Sequence, residues 1–139
     1  VIQIAPTRDI ATCRQLRRVV FIEEQGVSEA DEVDDLDDQA FHLLALDGST
    51  PLGSARLLIT GNTGKIGRVC VLKDARGSGL GAALIRAAIA ELRSHPGVIR
   101  AKLGAQTHAL GFYERLGFIA TGPEFIDAGI AHRDMVLML

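Results

Sequence analysis

Tryptophan is absent from this 139-residue chain, tyrosine occurs once, and aromatics together make up 4% of it. A nucleic-acid surface built from a basic face with interleaved aromatic platforms is therefore a poor fit, and no nucleic-acid partner is expected. Cysteine occurs only at Cys13 and Cys70, 57 positions apart. That spacing matches neither a disulfide framework nor a thiolate metal site. No metal is expected, and a reducing cytoplasm is the compartment the composition fits. No run of 18 apolar residues occurs, which argues against a membrane-spanning helix and a membrane partner. The start, Val1-Ile2-Gln3-Ile4, alternates like a strand rather than reading as a secretory signal. With 47% hydrophobic and 23% charged residues, the chain reads as one globular domain over 1–139, long enough to bury a single sizeable core.

Charge is unevenly distributed. Residues 23–38 hold nine of the seventeen acids and no Lys or Arg, whereas the remainder carries 15 basic and 8 acidic residues. Lys65, Arg68, Lys73 and Arg76 gather around one apolar run with only Asp74 opposing, a field suited to a phosphorylated ligand.

That run, Val69-Cys70-Val71-Leu72, gives way to a short charged turn and then to Arg76-Gly77-Ser78-Gly79-Leu80-Gly81-Ala82. From Leu80 a helical apolar pattern begins. A strand, a glycine-rich loop and a helix start thus fall within fifteen residues. The first amides of a helix have no partner inside it, and the helix dipole adds partial positive charge there, so such a place binds phosphate. The spacing separates the candidates. A Walker loop ends in Gly-Lys-Ser/Thr, which is missing, and the dinucleotide fingerprint needs Gly-x-Gly-x-x-Gly, whereas these glycines stand at 77, 79 and 81. The pattern is Arg-x-x-Gly-x-Gly, with Arg76, Gly79 and Gly81 at its fixed positions. About thirty residues on lies Ala105-Gln106-Thr107-His108-Ala109-Leu110-Gly111-Phe112-Tyr113-Glu114-Arg115-Leu116-Gly117-Phe118. Thr107 is a plausible N-cap, and Gly117 sits where a left-handed residue would stop a helix.

The two segments together resemble the GCN5-related N-acetyltransferases (GNAT), which pair an Arg-x-x-Gly-x-Gly loop with an Ala-x-x-Phe-Tyr-x-x-x-Gly-Phe segment downstream. Phe21-Ile22-Glu23-Glu24-Gln25 before the acidic window, the Gln106–Tyr113 string and Gly129-Ile130-Ala131-His132 resemble the ElaA-like branch. The resemblance implies acetyl-CoA as cosubstrate, with its diphosphate on Arg76 to Ala82. Pantetheine would pair with the Val69-Cys70-Val71 strand where two parallel strands splay apart, near Gln106, Ala109 and Phe112. It also implies a role for Tyr113 at the departing sulfur. A general acid there contributes on the order of 10²–10⁴ in rate; the competing reading of Tyr113 is a core aromatic with a satisfied hydroxyl. Related enzymes often carry Asn where this chain has Gln106, which keeps the amide but moves it by one methylene. Cys70 offers a covalent acetyl-cysteine route, but nothing adjacent would activate its thiol, so direct transfer is expected.

Periodicity outlines the rest. Val1 to Pro6 reads as an edge strand, and Thr7 as the cap of a helix through Ile10, Cys13, Leu16 and Val20 that Gly26 breaks. Ser28 with Asp31 makes an approximate capping box. Strands follow over Ala40–Leu46, Leu52–Ile59 and Lys65–Leu72, then a helix with Leu80, Leu84, Ala88 and Leu92 in one row. After Val98–Ala105 and the Tyr113 helix, Phe118–Thr121 and Ala131–Leu139 supply the last strands, with Pro123–Gly129 as their link. The expected fold is mixed α/β: a central twisted, mostly antiparallel sheet with helices on both faces, as in the GNAT acyltransferases.

The acceptor would be a small amine, an amino sugar or a protein terminus, and a homodimer is compatible with the sequence. Glu23 or Glu24 could steer a cationic amine or serve as general base through water; a solvated helix end explains them equally well. No glutamate occupies Lys65–Leu72, so a base from that strand is missing. His108 is a candidate base or a helix-start residue bonded to backbone. His42 and His132 fall in strand patterns and could point into the same cleft, although histidines in strands are more often structural. Two rival functions are an acyl-CoA-binding sensor or subunit without catalysis, and a Rossmann-like nucleotide-binding domain.

Overall fold

The computed structural model describes residues 1–139. Its strands are β1 (Ile2–Thr7), β2 (Phe41–Asp47), β3 (Thr50–Thr60), β4 (Thr63–Val71), β5 (Arg100–Gln106), β6 (Ile119–Asp127) and β7 (Ile130–Met138). They form one sheet in the order β1-β2-β3-β4-β5-β7-β6. Every neighbouring pair is antiparallel except β4 with β5. The helices are α1 (Ile10–Arg17), α2 (Glu29–Glu32), α3 (Leu80–Arg93) and α4 (Leu110–Arg115). Between α1 and α2 the chain widens into a π-helical segment, Arg18–Glu24, at whose end the Gln25 amide donates back five residues to the Val20 carbonyl (3.1 Å).

Two apolar clusters explain why helices cover both faces. Leu80, Leu84, Ile85, Ala88, Ile89 and Leu92 of α3 are all buried, and they meet Leu43, Ala45, Ala55, Leu57 and Ile66 of the meander and Ala101, Leu103 and Ala105 of β5. Cys13, Leu16 and Val20 lie on the other face against Leu44 and Cys70. Strand β2 is thus buried on both sides, which its continuous apolar run Leu43-Leu44-Ala45 requires.

Glycine permits a close approach of backbone to backbone between β3 and β4. A Cβ on Gly53 would stand 2.6 Å from the Cys70 carbonyl oxygen, a backbone atom unable to rotate away, and 3.1 Å from the Leu84 side chain. Gly53→Ala is therefore expected to lower stability by about 1–3 kcal/mol. A chemical-denaturation midpoint equal to that of the wild type would disprove this close approach.

Three local expectations need correction. Strand β1 runs through Thr7, and Asp9 caps α1, its Oδ1 accepting from the Thr12 amide at 3.1 Å. At Thr107 the chain makes a 3-10 turn to Ala109 before α4, with no side-chain cap. The stretch after Thr121 is not a loop: β6 continues to Asp127 across a register shift between Thr121 and Phe125. Pro123 is tolerated there because β6 is an edge strand, where a missing N–H removes no obligatory ladder bond. Ser28 caps α2 as expected, accepting from the Asp31 amide at 3.2 Å.

Candidate active site

Parallel strands β4 and β5 pair over only three residues each, Thr63–Lys65 against Arg100–Lys102, and then diverge. Beyond that point Ile66–Val71 and Leu103–Gln106 flank an open V. On the outer side of β4, Ser54 pairs with Cys70 and Arg56 with Gly67, so Arg68 and Val69 together oppose the single residue Ala55. This is a β-bulge, with Arg68 at φ 49. Its extra residue reverses the facing of the strand: Gly64 and Ile66 face α3 before it, Val69 and Val71 after it. A cleft of about 350 Å³ occupies the V. Gly67, Val69, Leu103 and Gln106 line its sheet side, Ala109 and Tyr113 enter from the turn and helix after β5, and Phe21, Gln25 and Val27 approach from the π-helical segment and the turn after it.

The glycine loop lies at the N-terminus of α3. Gly77 and Gly79 adopt φ 83 and φ 84, and a Cβ on either would meet nothing within 4 Å, so both the conformation and the open space in front of the loop favour glycine. Ala83 is the first helix residue with an intrahelical acceptor, its amide donating to the Gly79 carbonyl at 3.0 Å. The amides of Leu80, Gly81 and Ala82 precede that bond and remain available to an anion. The Leu80 side chain is buried in the core, so only its backbone faces a ligand. Ser78 Oγ donates to the Ala75 carbonyl (2.7 Å), closing the loop from within.

The sequence-derived site residues divide accordingly. Val69, Gln106, Ala109 and Tyr113 share the cleft, while Arg76 to Ala82 form the adjoining loop. Phe112 meets Tyr113 edge-on (centroids 5.0 Å) and lies beside Gly81. Val71 carries the carbonyl that accepts from Arg76 Nε at 3.0 Å. Cys70 turns away from the cleft into the smaller core, where burial raises its thiol pKa, so it is not a nucleophile facing a ligand. His108 is exposed and donates from Nε2 to Gln106 Oε1 at 2.7 Å. Glu24 is held by both terminal nitrogens of Arg76, with Nη2 to Oε1 at 2.7 Å, and this hydrogen bonding lowers its carboxyl pKa. A carboxylate so engaged is a weak base, and the pairing also removes Arg76 from the free positive field. The Tyr113 hydroxyl has no hydrogen bond within the protein, and burial of the ring raises its pKa.

The acidic window also reads differently in three dimensions. Asp37, 2% exposed, accepts from both terminal nitrogens of Arg17 (2.6 and 3.0 Å), from Arg14 Nε (2.9 Å) and from Arg56 (3.2 Å). Arg56 also clasps both oxygens of Asp34 (2.8 and 2.9 Å), and Arg68 reaches Asp34 (3.2 Å) and the Glu32 carbonyl (3.1 Å). Glu32, Asp34 and Asp37 are thus neutralised against α1, β3 and β4 instead of belonging to a free acidic surface. Two arginines standing in buried patterns, Arg17 on the inner face of α1 and Arg56 inside β3, were the available sequence signal.

Other cleft residues escaped sequence reading because β6 extends further than expected. Phe125 stacks on His132 (centroids 5.8 Å, planes at 21°), and Asp127, Asp134 and Ile130 complete that wall. No group of three or more His, Cys, Asp or Glu side chains is arranged to hold a metal ion. No helix is long and apolar enough to cross a membrane.

A family model described as an acetyltransferase (GNAT) domain matches residues 17–139. YyaT of Bacillus subtilis is 40% identical over 133 residues, covering 94% of this chain and 89% of the relative. An acyl-CoA N-acyltransferase from Pseudomonas aeruginosa, 29% identical, superposes with a TM-score of 0.89 over 98% of this chain and 99% of that one. Escherichia coli ElaA, 26% identical, gives 0.87 over the same shares.

Proposed function

The chain belongs to the GNAT acetyltransferase family, so acyl-CoA-dependent acyl transfer is its reaction class, and we propose that it moves an acetyl group from acetyl-CoA to a primary amine by direct attack. One observation supports this above the others: a loop of exposed amides at the start of α3 adjoins a splayed-strand cleft in which Val69, Gln106 and Tyr113 converge. The diphosphate would rest on the amides of Gly77 to Ala82, where glycine conformation and open space fit an anion. Pantetheine would lie along the free edge of β4. Val69 sits at the bulge, beyond the last residue of β4 that pairs with β5, so its amide is suited to polarise the thioester carbonyl as charge develops on oxygen. Tyr113 would donate its proton to the departing sulfur, a role favoured by its uncommitted hydroxyl and by burial, which keeps it protonated at neutral pH. Glu24 and His108, engaged with Arg76 and Gln106, would shape the site from its margins.

Calorimetric titration with acetyl-CoA, with NAD and ATP as controls, tests the reading. Selective acetyl-CoA binding is expected, weakened about tenfold or more when Gly79 and Gly81 both become Val, because displaced loop amides lose charge-assisted hydrogen bonds. A folded protein that binds no acetyl-CoA would overturn it. Binding with slow thioester hydrolysis, and no transfer to any amine, would favour the acyl-CoA sensor.

A further inference from the structure

A protonated amine must lose a proton before it can attack a carbonyl, and β4 offers no carboxylate to take it. Three of the four histidines are unsuited. His42 is buried, with Nε2 bonded to the Asp37 carbonyl (2.9 Å). His95 packs edge-on against Phe41 at the far end of α3, within 3.6 Å of Glu91. His108 is exposed, and its Nε2 is taken by Gln106. His132 differs in each respect. It lies on β7 directly opposite Gln106 of β5 and lines the same cleft as Tyr113 and Val69. Its Nδ1 is 2.7 Å from the Ile130 carbonyl oxygen, which can only accept, so Nδ1 carries the proton. The neutral ring then has its lone pair on Nε2, and the Phe125 ring stacked alongside fixes its orientation. A carbonyl that fixes the tautomer and an aromatic ring that fixes the plane are what a positioned base requires.

Resting on the amine-acetylation reading, we propose that His132 Nε2 is the general base for the acceptor and that the acceptor is cationic. The incoming ammonium gives its first proton to Nε2. The freed amine attacks the thioester carbonyl carbon, the C–N bond forms, and the C–S bond breaks. Tyr113 protonates the sulfur, the second proton shed by the nitrogen replaces the one Tyr113 gave, and His132 passes its own to solvent. The surrounding charges suit a cation. Asp31 and Asp127 line the cleft without an ion-pair partner, Asp134 is 3.7 Å from Lys102, and Glu32 is balanced by Arg17 and Arg68. Lys65 is the one cleft cation without an acidic partner.

His132→Asn keeps a donor for the Ile130 carbonyl and removes the basic Nε2. Thiol release from acetyl-CoA would be followed with cadaverine, glucosamine and an unblocked dipeptide amide, all ammonium acceptors, and with hydroxylamine, which is uncharged at neutral pH. For ammonium acceptors the variant should lose about 10²-fold or more in kcat/KM and the acidic limb of its pH profile. The loss with hydroxylamine should be much smaller, and acetyl-CoA should still bind by calorimetry. Equal losses for charged and uncharged acceptors, or an acidic limb that persists, would overturn the assignment while leaving amine acetylation standing. A wild-type protein that acetylates none of the four overturns the amine-acetylation reading, and this inference with it.

Discussion

Replacing Tyr113 with Phe is expected to slow thiol release by about 10²-fold or more while leaving acetyl-CoA affinity close to that of the wild type. The ring sits edge-on to Phe112 and Phe118, with centroids 5.0 and 6.1 Å away, and Phe would keep both contacts. Since the hydroxyl bonds to nothing in the protein, its removal leaves no donor or acceptor stranded, and folding should be little affected. A thiolate leaves more readily than an alkoxide, which puts the loss toward the lower end of the range for general acids. If instead Tyr113 only packs, the variant would turn over normally; a rate within experimental error of the wild type would exclude the proton-donor role. Stopped assays of thiol release, with calorimetry alongside, separate a chemical defect from a binding one.

Asp37→Ala is expected to destabilise the fold strongly. Burial raises the carboxyl's pKa, but hydrogen bonds from Arg17 and Arg14 and the charge of Arg17 outweigh it and hold Asp37 well below the ordinary carboxylate range. Removing the carboxylate leaves Arg17 and Arg56, both nearly inaccessible, facing one another without their shared anion. Breaking a buried pair from one side costs about 3–5 kcal/mol, a large share of the roughly 5–15 kcal/mol typical of a domain. A drop in Tm on the order of 10–20 °C follows. Asp38→Ala, at an exposed neighbour without a side-chain hydrogen bond, should stay within about 0.5 kcal/mol of the wild type. Because the native pKa is depressed, the Asp37 contribution is complete above the unfolded-state value and is lost as pH falls through the native one. Asp34, lowered chiefly by its hydrogen bond from Arg56, acts in the same sense. Stability should therefore decline below about pH 4, with a shallower decline in Asp37→Ala. Thermal melts across that range check both, and an acid slope identical in the two proteins would show that the cluster does not behave as one ionic unit.

Legibility in the sequence followed the range of the forces involved. The row from Leu80 to Leu92, the turns at Gly48 and Gly61, and the loop around Gly79 are governed by neighbours a few positions away, and the structure has them where periodicity and turn chemistry put them. The course of β6 past Pro123 was missed because whether proline is tolerated depends on the edge position of the strand, a property of the whole sheet. The ionic cluster was missed for a related reason: Arg17 and Asp37 are 20 residues apart, Arg56 and Asp34 are 22, and nothing local announces the pairing. The active-site candidates split the same way. The loop and Tyr113 belong to contiguous motifs, whereas His132 becomes informative only with Ile130 holding Nδ1 and Phe125 holding the ring.

Only three residue pairs stitch β4 to β5, and mechanically that is a seam. On one side lies the meander β1–β4, on the other the three-stranded unit β5–β7, and past Lys65 and Lys102 only packing beneath the sheet joins them. Cooperativity across the molecule therefore passes through a narrow hydrogen-bonded bridge and the side chains of α3. A ligand lodged in the gap and bonded to both free edges would serve as an extra, non-peptide strand. It would make the two halves open and close as one body, so that occupancy of the site and rigidity of the whole fold rise together.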